Sequence, residues 1–377
     1  MLVSRTLEKH IKEKLGKGRV IIIYGARRVG KTTLIKQLTA ELDNVIYFNG
    51  DLLPDRQLWQ NQTSLEYLHT IVKNYQYIVI DEAQNIPGIG RTLKILVDYF
   101  PDKQIIATGS SSFELFGQID EPLTGRKWQF ILYPFSYDEL AQATGLWETH
   151  KKLNFFLTYG LYPEVVLNPT DAQDILLELV SSYLLKDILA WQGIKKSDKL
   201  ITLLKALAFQ IGQLISYNEL ANISGLDIST VEKYINLLEK SFVIFRLMPF
   251  SKNLRNELKR RRKIYFTDIG IRNAIINDFT DFSLRSDREK GAIWENFIIS
   301  EMIKNNNNHR RNSSFYFWRT KDKAEIDLLE IKNNNIKAYE IKLKKKAKMP
   351  ASFSIYNPEF HNITVDNFES FLLHNNH

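Results

Sequence analysis

The stretch RVIIIYGARRVGKTTLIKQL, residues 19–38, restricts the possible folds of this chain more than any other. An apolar run from Val20 to Tyr24 leads into Gly25, four further residues, Gly30-Lys31-Thr32 and then a helical pattern. A buried parallel strand, a tight loop and a helix N-terminus are what phosphate binding needs. Glycines let backbone N–H groups converge on the oxygens, and the helix dipole favours the anion. The expected ATP-binding loop therefore comprises Gly25, Ala26, Arg27, Arg28, Val29, Gly30, Lys31, Thr32 and Thr33. Lys31 would reach the β and γ phosphates, and Thr32 would hold Mg²⁺.

Some fifty residues on, YQYIVIDEAQNIP gives an apolar strand, Tyr77 to Ile80, ending in Asp81-Glu82. Asp81, at the carboxyl end of a strand, is placed for the Mg²⁺ shell, and Glu82 for polarising the attacking water. A third strand, in KQIIATGSSS, puts Thr108 and Ser110 where a polar side chain senses the γ phosphate or caps a turn. Strand and helix signals alternate from Val20 to about Phe135, which predicts an α/β fold with a parallel sheet and helices on both faces. Arg126, in LTGRKWQFILYPFSYDEL, has two readings: a guanidinium offered to a neighbouring subunit's nucleotide in a homo-oligomer, or a surface arginine with a local carboxylate.

Residues 151–198 read as Leu-rich helices with no visible chemistry, a packing subdomain over the nucleotide. From 199 to 250 the pattern becomes helix, helix opened by a Ser cap and closed by Gly225, third helix, then the strand-like FVIFRLMPF. That is the layout of a helix-turn-helix with a wing, with Thr230, Lys233, Tyr234 and Asn236 near the exposed side of the third helix. The formal net charge of +8 is concentrated in KNLRNELKRRRK (252–263) and KLKKKAK (342–348). Such blocks favour a polyanion, DNA above all; the alternatives are a solvated basic face or a protein partner.

Glu-x-Lys occurs at Glu257, Glu330 and Glu340. In the hairpin AEIDLLEIKNNNIKAYEIKLKK, an even loop would set Asp327 opposite Lys342 and Leu329 opposite Glu340. Asp327, Glu340 and Lys342 then share one face, with Ile326, Leu328, Ile341 and Leu343 on the other. Glu330 and Lys332 fall on that second face, near the tip. Two carboxylates and a lysine suit Mg²⁺-assisted phosphodiester chemistry, and Glu295, on the helix KGAIWENFIISEMIK, would complete the metal shell. The competing reading is a cross-strand ion pair on a solvated face.

With no cysteine, disulfides, thiolate metal sites and thiol nucleophiles are excluded, and a reducing cytoplasm fits. The first residues lack the apolar core of a signal peptide and read as a short basic helix. No window approaches the ~18–20 apolar residues that cross a bilayer. A chain of 377 residues, 44% apolar, can bury two or three cores.

Taken together, the chain resembles prokaryotic AAA-type ATPases fused to a winged helix and a C-terminal domain of the PD-(D/E)XK nuclease fold. The resemblance rests on GARRVGKTT, YIVIDEAQNIP, ATGSSSFEL, LTGRKWQFILYPFSYDEL, YGLYPEVV, YLLKDIL, YFTDIGIRNA, GAIWENFI and the pair AEIDLLE and YEIKLK. It implies an ATPase domain over 1–145, a helical lid over 146–198, a winged helix over 199–252 and a nuclease-like α+β domain over 253–377. The nuclease-type residues map onto Glu295, Asp327, Glu340 and Lys342, and Leu161 stands where relatives more often show a second glycine. The function implied is Mg²⁺-dependent ATP hydrolysis acting on DNA, with an endonuclease-like site. An ATP-driven switch or scaffold that binds without cutting, and a winged-helix regulator, are the alternatives.

Overall fold

The computed structural model describes residues 3–110, 123–184, 197–250 and 262–373. Glu257, most of the basic run 252–263 and most of the motif YLLKDIL lie outside these residues. Two compact units emerge, one of Ser4–Pro134 with Lys240–Phe242, the other of Phe135–Glu239 and Val243–His377 with the first three residues.

In the first unit, strands β1 (Val20–Tyr24), β2 (Val45–Asn49), β3 (Tyr77–Asp81), β4 (Gln104–Gly109) and β5 (Lys127–Ile131) form a parallel sheet in the order β2-β3-β4-β1-β5. Every residue of β1 is buried, as expected of a central parallel strand covered on both faces, and its unbroken Val-Ile-Ile-Ile run is the sequence trace of that position. Because β4 lies between β1 and β3, the end of β4 comes to stand between the phosphate loop and Asp81. Helix α1 (Leu7–Lys12) is the expected short basic helix and buries Leu7 and Ile11. Helix α2 (Lys31–Thr39) follows the loop, and α3 (Ile89–Tyr99) precedes β4.

The second unit begins with α4 (Tyr137–Thr144), held by a complete capping box between Ser136 and Glu139. Two of the linking motifs interlock here. Gly160, at φ +75°, lies where a Cβ would stand 2.0 Å from Asp268 Oδ1, and a Cβ on Gly270 would stand 2.1 Å from the carbonyl oxygen of Tyr159. Leu161 is buried, and its N–H donates to Asp268 Oδ2 at 2.7 Å. These residues pack the fold rather than perform chemistry.

Helices α5 (Ser197–Phe209), α6 (Tyr217–Ser224) and α7 (Ile228–Lys240) make the expected trio, with Gly225 in the left-handed region closing α6. Ser216 precedes α6 but its side chain makes no cap bond. The strands that follow, β6 (Ile244–Pro249) and β7 (Lys263–Phe266), pair antiparallel and continue into a six-stranded sheet with β8 (Ser314–Arg319), β9 (Glu325–Lys332), β10 (Asn335–Ile341) and β11 (Glu359–Ile363), ordered β11-β10-β9-β8-β6-β7. Helix α8 (Ile269–Ile276) and the 22-residue α9 (Asp287–Asn308) follow β7.

The β9–β10 hairpin forms, in a register two residues away from the expected one. Lys332 faces Asn335 and Leu328 faces Tyr339, so continuing the ladder by one step sets Asp327 opposite Glu340 instead of Lys342. The turn is Asn333-Asn334, both at positive φ (49° and 66°), the conformation of the two-residue turns that match strand twist. A register shift between β8 and β9 at Tyr316/Trp318 marks a β-bulge beside Asp327. It breaks strict alternation: Ile326, expected on the face away from Leu329, shares one apolar cluster with Leu329 and Ala338.

Candidate functional site

The phosphate loop is built from backbone constraints. A Cβ on Gly25 would stand 2.3 Å from the carbonyl oxygen of Leu132, whose N–H bonds to Tyr24 O at 2.7 Å, so only glycine lets the loop leave β1 there. Gly30, at φ +96°, turns the chain into α2. Lys31 is buried and donates to the carbonyls of Gly25 at 2.9 Å and Ala26 at 3.0 Å, which folds its ammonium over the loop. Val29 is fully buried and anchors the loop from below, while Thr32 and Thr33 are exposed at the start of α2. Arg28 takes the left-handed region at φ 59°, and Arg27 is half-buried. Arg5 was not anticipated: it is buried, and its guanidinium donates to Val29 O at 3.3 Å and to the carbonyl of Tyr133.

Thr32 donates to Asp81 Oδ2 at 2.6 Å, the pairing of hydroxyl and carboxylate expected of a Mg²⁺ site. Thr108 donates to Asp81 Oδ1 and accepts the N–H of Glu82 at 2.9 Å. Glu82 occupies the left-handed region (φ 48°, ψ 42°), a costly conformation for a residue with a Cβ, and its carboxylate accepts from Gln84. Ser110 is buried at the end of β4. Arg126 meets a local carboxylate, donating to Asp98 Oδ1 at 2.6 Å.

On the second unit's sheet, Asp327, Glu340 and Lys342 come together. Lys342 Nζ lies 2.7 Å from Asp327 Oδ2 and 3.0 Å from Glu340 Oε1, and the N–H of Ile341 also donates to Asp327 Oδ2 at 2.8 Å. The face is not the solvated one of the competing reading: the Asp327 and Glu340 side chains are 7% and 13% exposed. Burial, then repulsion from Asp327, raises the Glu340 carboxyl above its ordinary range despite Lys342, and its Oε2 is buried with no hydrogen-bond partner. Lys342 is held above the ordinary lysine range by Asp327 and Glu340 against the opposing effect of burial.

Glu295 is placed by its neighbour. Asn296, on α9, bonds both the N–H and the carbonyl of Phe266 at 2.8 Å, so that α9 grips β7 and Glu295 hangs over Lys263 and Tyr265. Its Oε1 accepts from Tyr265 OH at 2.6 Å and Lys263 Nζ at 3.2 Å. Burial raises its carboxyl, with Lys263 opposing and Asp327 adding to the shift. Lys263 also pairs with Glu325, which Arg319 contacts at 2.7 Å. None of Lys263, Tyr265, Glu325 and Arg319 was anticipated. Among the described residues no group of three or more His, Cys, Asp or Glu is gathered closely enough to hold a metal ion. The unpartnered Oε2 of Glu340 is the oxygen of this pair that could take a cation, whereas Glu295, expected as a third ligand, gives its Oε1 to Tyr265 and Lys263.

The first Glu-x-Lys copy stands apart from this cluster, with Glu330 accepting from Ser313 at 2.6 Å and Tyr339 at 2.9 Å. On α7, Lys233 is exposed and Asn236 partly so, but Tyr234 is buried, against expectation. It belongs to the inward stripe Val231, Tyr234, Ile235, Leu238, spaced i, i+3, i+4, i+7. Thr230 spends its hydroxyl on Asp227, the residue that opens the helix, at 2.7 Å.

Residues 17–141 match a family model described as an AAA domain. Residues 150–281 and 290–370 match two models described as domains of unknown function, DUF8612 and DUF4143. The uncharacterized protein Rv2008c of Mycobacterium tuberculosis is 25% identical over 350 residues, covering 91% of this chain and 74% of its own length. The uncharacterized protein MJ1544 of Methanocaldococcus jannaschii is 25% identical over 412 residues, covering 97% and 89%. Among solved structures, the Walker-type ATPase paby2304 of Pyrococcus abyssi is similar at TM-score 0.49 and 14% identity, over 73% of this chain and 96% of that one. Cdc6p from Pyrobaculum aerophilum is similar at TM-score 0.27 and 15% identity, over 74% and 93%. Residues 17–141, which match the AAA domain model, have the fold of a P-loop ATPase, a parallel sheet with the phosphate loop between β1 and α2. No helix among the described residues is long and apolar enough to cross a membrane.

Proposed function

We propose that the chain is a Mg²⁺-dependent ATPase that acts on DNA in the cytoplasm and carries a metal-dependent, endonuclease-like site in its C-terminal α+β portion. In the ATPase domain, Lys31 neutralises the β and γ phosphates, Thr32 and Asp81 hold Mg²⁺, Glu82 orients the attacking water, and Thr108, with Ser110 beside it, reports on the γ phosphate. Bound Mg²⁺ supplies Lewis-acid polarisation of the phosphate oxygens. Arg126 leaves Asp98 to serve a neighbouring subunit's nucleotide if the protein works as a ring or a pair.

The nuclease-like reading is carried by one observation: a buried carboxylate, Asp327, and a half-buried one, Glu340, bridged by a single ammonium. Lys344, Lys345, Lys346 and Lys348 are exposed directly after Lys342, so a polyanion drawn to that run arrives beside the carboxylates. The winged-helix reading of 199–252 leans less on α7, where exposed Lys233 and Lys240 are balanced by exposed Asp227 and Glu232. The test is incubation of the full chain with linear, circular and branched DNA, ATP, and Mg²⁺ or Mn²⁺. Cutting that disappears in Asp327→Asn and Glu340→Gln while ATP hydrolysis persists supports the reading. Cutting equal to wild type in both variants ends it.

A second reading, an ATP-driven switch or scaffold that grips nucleic acid or a protein without cutting it, is favoured by the engagement of Glu295 with Lys263. It predicts ATP-dependent DNA retention with no products in the same assay.

A further inference from the structure

Two lysines stand on the acidic cluster, and they differ in freedom. The Lys342 side chain is 41% exposed at the end of the hairpin, so its ammonium can swing away from Asp327 and Glu340 when a cation arrives. The Lys263 side chain is 3% exposed. It is pinned between Glu295 at 3.2 Å and Glu325 at 2.5 Å, with Nζ 5.7 Å from the ring centre of Phe317. Its strand is fixed on both edges: β6 pairs with one, and on the other Gly212 N bonds Ile264 O at 3.1 Å and Ile215 N bonds Arg262 O at 2.9 Å. Gly212 closes over Glu295 so tightly that a Cβ would come within 3.2 Å of Oε1. For Glu295 to coordinate a metal through Oε1 it would have to release both Lys263 and Tyr265, and through Oε2 it would bring the cation beside the Lys263 ammonium held on the same carboxylate. A buried ammonium would then face a divalent cation in a medium of low dielectric, where like charges repel far more than in water.

We infer that Lys263 is a built-in cation that takes up Glu295, so that the C-terminal site accepts a single divalent ion between Asp327 and Glu340, and Glu295 is not a ligand. The inference rests on the metal-site reading given above and assigns a specific limit to it: one ion, two carboxylates, and a fixed lysine where a further carboxylate would otherwise serve.

Mn²⁺ titration of the full chain without nucleotide, followed by electron paramagnetic resonance and calorimetry in an Asp81→Asn background, tests it. One ion is expected to bind. Affinity should fall more than ~10-fold in Asp327→Asn and Glu340→Gln yet change less than ~3-fold in Glu295→Gln, which removes charge without changing size. Lys263→Met, checked for folding by its melting curve, should tighten Mn²⁺ binding or admit a second ion. Loss of Mn²⁺ in Glu295→Gln as complete as in Asp327→Asn overturns the inference and leaves the metal-site reading intact, and so does a folded Lys263→Met with unchanged binding. Absence of Mn²⁺ binding in both the parent and Lys263→Met defeats the metal-site reading and the inference with it. If Lys263→Met does not fold, the Glu295→Gln arm decides alone.

Discussion

Thr108 and Asp81 share a hydrogen bond across neighbouring strands, and the same Thr108 hydroxyl accepts the backbone N–H of Glu82 at 2.9 Å. One side chain at the end of β4 thus fixes the carboxylate proposed for Mg²⁺ and the backbone that aims the proposed water-orienting acid. The contact couples a side chain one strand away to the carboxyl end of β3.

Thr108→Val keeps the shape and removes both hydrogen bonds. The expected result is a kcat for ATP hydrolysis lowered by ~10- to 100-fold with little change in nucleotide affinity, because the loop that holds the phosphates is untouched. Thr108→Ser, which keeps the hydroxyl, should restore most of the rate. A Val variant that hydrolyses ATP normally would reduce Thr108 to a packing residue.

Lys31→Ala should abolish ATP hydrolysis, and Gly25→Ala should do so by a different route. In the first, the cation is lost and the fold survives. In the second, a methyl group 2.3 Å from Leu132 O must push apart two backbone segments that cannot yield cheaply. Nucleotide binding should vanish and the first unit should lose ~2 kcal/mol or more of stability, read by denaturant unfolding. Wild-type stability in Gly25→Ala would mean that the β1–Leu132 approach is looser than described.

How far the sequence reveals such contacts depends on how local they are. The phosphate loop and Asp81 are legible because strand, turn and helix signals adjoin within a few residues. The hairpin is legible in kind, but three consecutive asparagines, 333–335, do not say which two form the turn, and the register slips by two. The bulge beside Asp327 arises where β9 takes one more residue than β8 between the Tyr316–Leu329 and Trp318–Ile326 pairs, a mismatch that period-two reasoning along one strand does not report. Lys263 and Tyr265 meet Glu295 through thirty residues of intervening chain and the Asn296 grip on Phe266, which no periodicity reports. Tyr234 is a different case, since its inward position was readable from the spacing of Val231, Ile235 and Leu238.

Glu301 and Lys304 form a buried pair at 2.7 Å, each side chain 2% exposed. Glu301 also accepts the N–H of Tyr137 at 2.7 Å, and Lys304 donates to Phe135 O at 3.2 Å, so the pair ties the start of α4 to α9. Lys304→Met leaves a carboxylate buried without its cation and should cost ~3–5 kcal/mol in unfolding free energy. Adding Glu301→Gln, which still accepts from Tyr137, should recover most of that loss. If the double variant is no more stable than the single one, the ammonium's bond to Phe135 outweighs the ion pair.

The acidic site should also show in the pH dependence of stability. Burial and repulsion from Asp327 raise the Glu340 carboxyl above its ordinary value of 4.5, so the folded protein holds this proton more tightly than the unfolded chain. Below 4.5 the group is protonated in both states and carries no penalty. As pH rises through the window between the ordinary and the raised value, the unfolded chain ionises first and stability falls; above the window the deficit is constant. Glu340→Gln removes that deficit, so it should melt higher than wild type at pH 7, and the gap should close as pH is lowered towards 4.5. Thermal melts of the two proteins across that range decide the matter, and a Gln variant that melts lower than wild type at pH 7 would show that the Lys342 contact, not burial, governs this carboxylate.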